Sequence, residues 1–416
     1  MILALSFVLL LHATQGQTAE ATVRLEYCGE LANHYADTMR DIIQQFEKEN
    51  PHIVIDMDHR GAPAQYEPEK LPVAIAAGVP PDIAYLNGFM TIVWAIRGGF
   101  LMPLNELLPA NTINEFESRY LPAPKSEMSL NGVWFGVPFR MDTRGLYLNV
   151  DLFEEAGLNS QVGPKDIPEL DVYAAKLTRR REDGQIQILG FAPNGNNWSE
   201  LFWFWAFGGE FLRPSGEVTF TNVSSHRNAL AWIQEYANRY GPTARTSTDG
   251  LANNQVAMHL NSTTMLTTFP ATYPDFDWYT SHIPSMPGVK PFSVGCSLGP
   301  SVPIGARHPH EAARFVAFLS RPEIQVQWYQ RTHSLPTRIE AFQQVLRSMD
   351  DPRERILVEQ LPVTRTVPLL YRDFLAVERL HLTALCEGKI SPQVALENIQ
   401  RDLELLLYQE LFVKEQ

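Results

Sequence analysis

Tryptophans and one paired charge are the features of this sequence that could do chemistry. There are eight tryptophans among 416 residues. An indole face suits the C–H face of a pyranose ring, whose hydroxyls call for carboxylates, amides and guanidinium groups. Trp198 lies in the polar stretch NGNNWS (194–199), where an aromatic side chain can serve as a ligand platform. Trp203 and Trp205 follow in the aromatic run SELFWFWAF (199–207). Two residues apart on a helix, they cannot both face one cleft, and core packing is the default for each. Arg140 and Asp142 stand in VPFRMDT (137–143), an extended stretch that carries a proline. Catalytic signatures are sparse: there is no H-E-x-x-H, no Walker A loop and no G-x-G-x-x-G. His308 and His310 form a close pair with no metal-ligand spacing around it. Adjacent carboxylates such as Glu154/Glu155 and Asp350/Asp351 read as solvated charges. A glycosidase needs two carboxylates flanking one bond, and these need not be neighbours in the chain, so a secreted carbohydrate hydrolase stays open here.

The elements that must position these residues follow a parallel α/β rhythm. Residues 23–27 (VRLEY) alternate apolar and polar like a half-buried strand. Met39, Ile42, Ile43 and Phe46 then share one helical face, and Asn50-Pro51 stops that helix. Strands at 53–57 and 82–86 alternate with helices at 69–77 and 89–98, ended by Gly78 and Gly98-Gly99. Residues 133–149 break this rhythm. Pro138 makes them a poor central strand, and a long extended segment here suits a crossing to a second domain. A helix follows, with Asp151 as its expected N-cap and Gly157 as its stop. Residues 297–304 read as a second extended passage, and the chain is mostly helical from 352 onward.

Composition bounds the class. The charge sum is −13, a field that repels phosphate backbones and anionic lipid, which argues against nucleic-acid binding. Three cysteines are too few for a disulfide scaffold; Cys28 and Cys296 could meet across a cleft, with separate buried thiols the default. Residues 1–11 (MILALSFVLLL) are nearly all apolar, and 12–21 supply small and polar residues. That run is too short to span a bilayer and reads as a secretory signal peptide over 1–21, although no basic residue precedes it.

Several stretches resemble the extracellular solute-binding proteins of ABC transporters, in the sugar-binding group that includes maltose- and trehalose-binding proteins. They are FEKENPHIV (46–54), GVPPDIAYLNG (78–88), GVPFRMDTRGLYLNVDLFEEAG (136–157), PHEAARFVAFLS (309–320) and LPTR (335–338), in order along essentially the whole mature chain. The resemblance implies a type II periplasmic-binding-protein-like α/β fold with two lobes around a ligand cleft. One lobe would hold 22–141 and 300–334, the other 147–296 and 338–416. Residues 142–146, 297–299 and 335–337 would be hinge crossings. It further implies capture of a mono- or oligosaccharide by hinge closure, delivery to a membrane permease driven by an ATPase, a monomer in the periplasm or outside the cell, and neither catalysis, cofactor nor metal.

The ligand-binding residues it implies are Glu30, Tyr66, Asn87 (in place of a frequent Asp), Arg140, Asp142, Ser297, Arg365 and Tyr371, with Trp198 or Trp203 as aromatic wall. In AMHLNSTT (257–264) Thr264 stands where the family commonly has a stacking tryptophan. Loss of that face leaves room for a polyol, a phosphorylated polyol or an anionic sugar held by Arg140 or Arg365.

Overall fold

The computed structural model describes residues 22–29, 34–58, 70–191, 193, 201–212, 218–221, 223–241, 248–366 and 371–412. Segment 1–21, Glu30, Tyr66 and Trp198 lie outside the described residues, as does the side chain of Tyr371, which opens a helix.

Two five-stranded sheets organise the chain. The first runs β2-β1-β3-β15-β6, from strands β1 (Val23–Cys28), β2 (Ile53–Asp58), β3 (Ile83–Asn87), β6 (Arg140–Met141) and β15 (Ser297–Ser301). β1 pairs in parallel with β2 and β3, as strand–helix–strand connections demand. β15 enters antiparallel between β3 and β6. The second runs β13-β7-β12-β9-β8, from β7 (Arg144–Asn149), β8 (Arg179–Arg180), β9 (Ile186–Phe191), β12 (Val256–Ser262) and β13 (Trp278–Ser281). Three two-stranded pairs complete the strands: β4 (Ser129–Leu130) with β5 (Val133–Trp134), β10 (Glu210–Leu212) with β11 (Val218–Thr221), and β14 (Ser293–Gly295) with β16 (Thr364–Thr366).

Local signals act as expected in most elements. The helix His34–Glu49 buries Met39, Ile42, Ile43 and Phe46. Asn50 ends it by donating from its side chain to the Phe46 carbonyl at 2.9 Å. The helix Gly88–Gly98 closes on Gly99 in the left-handed region, φ 57°. One cap differs from expectation. Asn149, not Asp151, caps the helix Val150–Glu155, its side chain accepting from the Leu152 N–H at 3.0 Å. Asn149 is fully buried at the end of β7, so its position is fixed by the sheet before the helix begins.

The chain passes from the first sheet to the second between Met141 and Arg144, and re-enters the first sheet at Ser297 from β14, which pairs with β16. After the helix Pro322–Thr332 it remains tied to the first sheet. Leu335 bridges to Met141, the Leu121 N–H donates to the Thr337 carbonyl at 3.0 Å, and Arg338 pairs with Glu115 at 2.6 Å. The helix Pro352–Glu359 belongs with the second sheet: the Leu357 carbonyl accepts from Thr143 Oγ1 at 3.0 Å, and the Arg353 carbonyl from Thr280 Oγ1. The helices Val223–Tyr240, Tyr371–Cys386 and Pro392–Phe412 pack together; Gln234 donates to the carbonyls of Leu385 and Ile390, and His381 meets Asp402 at 2.8 Å. All three cysteines are buried and none forms a disulfide, so Cys28 and Cys296 are separate thiols.

Candidate functional site

The two sheets meet where the strands cross, and Asp142 stitches the crossings together. Its N–H donates to the Cys296 carbonyl at 3.2 Å, and its Oδ1 accepts from the Cys296 N–H at 2.8 Å. Its Oδ2 accepts from Arg144 Nη1 at 2.7 Å, in a pair that is mostly buried. Ser293 adds a second tie, its hydroxyl accepting from the Arg144 N–H at 3.0 Å and donating to the Arg144 carbonyl at 2.8 Å. Gly295 must be glycine here, because a Cβ would fall 2.0 Å from the Asp142 carbonyl oxygen. The carboxylate thus does structural work, and a sugar hydroxyl would have to share it. Arg140 is buried beside it, with its guanidinium carbon 5.2 Å from the Tyr35 ring centroid.

Ser297 begins β15 and is fully buried. Its N–H and its hydroxyl both donate to Glu127 Oε2, at 2.6 and 2.7 Å. Glu127 Oε1 is buried without a hydrogen-bond partner. Burial raises the Glu127 carboxyl to about 8; the Ser297 bonds oppose that rise and nearby Asp142 adds to it. Ser297 is therefore a support for Glu127 with both of its donors committed. Residues 295–299 read G-C-S-L-G, a spacing that also occurs at nucleophile elbows. The geometry differs: this serine starts a strand, where an elbow needs a strand-to-helix turn, and its hydroxyl faces a carboxyl instead of a histidine.

A second group gathers on the other body. Arg365 in β16 lays its guanidinium carbon 4.9 Å from the Trp205 ring centroid and pairs with Glu210. Trp205 stacks in turn on Phe211 at 4.7 Å. Trp203 packs apart from this group. It is fully buried against Phe191, Phe202 and Trp232, and its indole N–H donates to the Pro193 carbonyl at 3.2 Å. The expectation that Trp203 walls the cleft is corrected on this point, since a core indole offers a ligand no face. Thr264 is exposed ahead of the helix Met265–Thr272, its N–H donating to Ser262 Oγ at 3.3 Å. Asn87 is half-buried at the C-terminal end of β3 and caps the helix Gly88–Gly98 by position.

The structure brings Arg140, Asp142 and Ser297 together at the crossings, and Arg365 onto Trp205. Sequence reasoning missed Glu127, a lone carboxylate in the short helix Pro122–Met128 with no spacing pattern to mark it. It also missed Arg144, which pairs with Asp142 two residues before it. Among the described residues no cluster of His, Cys, Asp or Glu is placed to hold a metal ion. No helix among them is long and apolar enough to cross a membrane.

Comparison with known proteins places this geometry. The family model "Bacterial extracellular solute-binding protein" matches residues 32–326. The sn-glycerol-3-phosphate-binding periplasmic protein UgpB of Escherichia coli K12 is 25% identical over 422 residues, covering 93% of each chain. Among solved structures, UgpB from Mycobacterium tuberculosis in complex with glycerophosphocholine superposes with TM-score 0.77 at 21% identity, covering 94% of this chain and 100% of that one. CpMnBP1 with mannobiose bound superposes with TM-score 0.74 at 23% identity, covering 92% and 99%.

Proposed function

The chain belongs to the bacterial extracellular solute-binding protein family, with its type II α/β fold, and from that premise we propose that it is the substrate-binding component of an ABC importer that captures a carbohydrate between its two lobes. The observation that carries this reading is the arrangement at the crossings. Asp142 sits on the short connection between the sheets, Arg140 lies in β6 just before it, and Arg365 packs on Trp205 in the second body. Polar and charged groups at a two-strand hinge suit a ligand rich in hydroxyls, which rotation of the lobes would bury. The resemblance sets the crossings at 142–146, 297–299 and 335–337; we place the turns at Asp142–Thr143, at Cys296 and, because Leu335 and Arg338 are tied to the first body, between the helices Ile339–Arg347 and Pro352–Glu359. Asn87 and Thr264 would line the cleft, with Glu30, Tyr66, Trp198 and Tyr371 completing it. The closed form would dock on a membrane permease served by an ATPase, the protein acting as an extracytoplasmic monomer after removal of residues 1–21. It would return its ligand chemically unchanged.

A phosphorylated polyol is the second reading. Thr264 offers no stacking face, while Arg140 and Arg365 supply positive charge, and the relative in Escherichia coli is named for sn-glycerol 3-phosphate. A thermal-shift screen of neutral oligosaccharides, polyols and sugar phosphates separates the readings, because a ligand that binds only the folded state raises the melting temperature. We expect a neutral sugar to give the largest shift and to be recovered intact. A larger shift from a phosphorylated polyol would overturn the sugar assignment, and consumption of the ligand would overturn the binding-protein reading.

A further inference from the structure

Away from the crossings just described, a second polar contact joins the two bodies. Glu354 lies in the first turn of the helix Pro352–Glu359, which is anchored on the second sheet. Arg353 beside it stacks over Trp278 of β13 at 4.6 Å and pairs with Asp351 at 2.7 Å. Glu354 is 7% exposed. Its Oε1 meets His333 Nδ1 at 2.8 Å. His333 caps the helix Pro322–Thr332 in the left-handed region, φ 53° and ψ 16°. That helix belongs to the first body, where Trp328 stacks on Tyr35 at 5.6 Å and Arg331 pairs with Asp41. Tyr329, one turn back, lies 5.9 Å from the His333 ring and also faces Glu354. One buried carboxylate on the second body is thus held by a histidine and a tyrosine of the first.

A groove of about 810 Å³ runs beside this contact. The helix Met265–Thr272 and Trp278 line it from one body, Arg331 and His333 from the other. Rotation of one body against the other must change the width of this groove, and His333 and Glu354 both line it.

We infer that the His333–Glu354 contact is a proton-sensitive latch, which holds the two lobes in the arrangement seen here when His333 is charged and releases them when it is neutral. This rests on the two-lobed hinge reading above. Histidine is the side chain whose charge changes near neutral pH. The groups facing it are Glu354 and Asp351 from the helix start, Tyr329 from its own helix, and Arg331 and Arg353 along the groove. The bond to Glu354 holds the His333 imidazolium above its ordinary range, with burial opposing. An unstrained replacement at φ 53° is available, because asparagine tolerates the left-handed region.

Small-angle X-ray scattering of the ligand-free mature chain at about pH 6 and about pH 9 tests the latch. We expect the wild-type radius of gyration to differ between the two pH values, and the difference to vanish in both His333→Asn and Glu354→Gln. A wild-type radius unchanged with pH, or a pH-dependent shift that persists in either variant, would overturn the latch. Scattering with a saturating screen hit, mannobiose or sn-glycerol 3-phosphate as probe, reports hinge closure separately. Compaction there with no pH effect discards the latch and keeps the hinge, whereas a bound probe that gives no compaction discards the hinge reading itself.

Discussion

Glu127 keeps its proton in a pH range where ordinary carboxylates have lost theirs. Its carboxyl is raised to about 8 from an ordinary 4.5, because burial removes the water that would solvate the anion. The folded state therefore binds a proton that the unfolded chain gives up. The stability this confers is complete below about pH 4.5 and is lost as pH rises through about 8. Glu127→Gln keeps an acceptor for Ser297 and cannot titrate. We expect the wild-type melting temperature to fall from about pH 5 to about pH 9 more steeply than that of the variant; parallel profiles would show that Glu127 ionises freely in the folded protein. The same residue shows where sequence reading runs out. Trp203 and Trp205 carry identical local signals, and the structure buries both, Trp203 on Phe191 and Trp232, Trp205 between Phe211 and Arg365. Arg140 and Asp142 were legible because two charges in an apolar, proline-bearing stretch need a reason, whereas one glutamate in PAPKSEM does not.

At the scale of elements, the start of the helix Gly88–Gly98 is a tight joint near the crossings. A Cβ on Gly88 would lie 2.5 Å from Ser297 Oγ and 2.6 Å from Glu127 Cβ. Gly88→Ala should therefore cost about 1–3 kcal/mol, as overpacking does, and lower the melting temperature. An unchanged melting temperature would mean that Ser297 and Glu127 yield freely. The elements themselves were largely legible. The alternation of strand and helix through β3 is written locally, in a period-two pattern followed by a helical one. The crossings were legible only as an interruption. Pro138 and its neighbours announce a break, but the place where the chain changes sheet depends on pairing partners more than a hundred residues away, such as Ser297 opposite Met141. The cap at Asn149 escaped for a related reason, since β7 had to be placed before its last residue could be seen to begin a helix.

For the whole molecule, the crossings and the Glu354 clasp predict a hinged body with few degrees of freedom. Asp142, Ser293 and Cys296 tie two crossing strands side by side, which resists twisting while permitting bending across them. We expect the radius of gyration to fall when a ligand from the screen binds, with secondary structure unchanged by circular dichroism; a change in circular dichroism on binding would point to local folding in place of rigid rotation. The order of the first sheet has a consequence for how the chain is made. β15 lies between β3 and β6, so two strands finished early cannot become neighbours of their final partner until residue 301 has left the ribosome. A nascent chain must wait through about 150 residues after β6 before its first sheet can close, a separation that slows folding. During that wait β3 and β6 lack their shared neighbour, so of the two five-stranded sheets the first is the one that stays open longest.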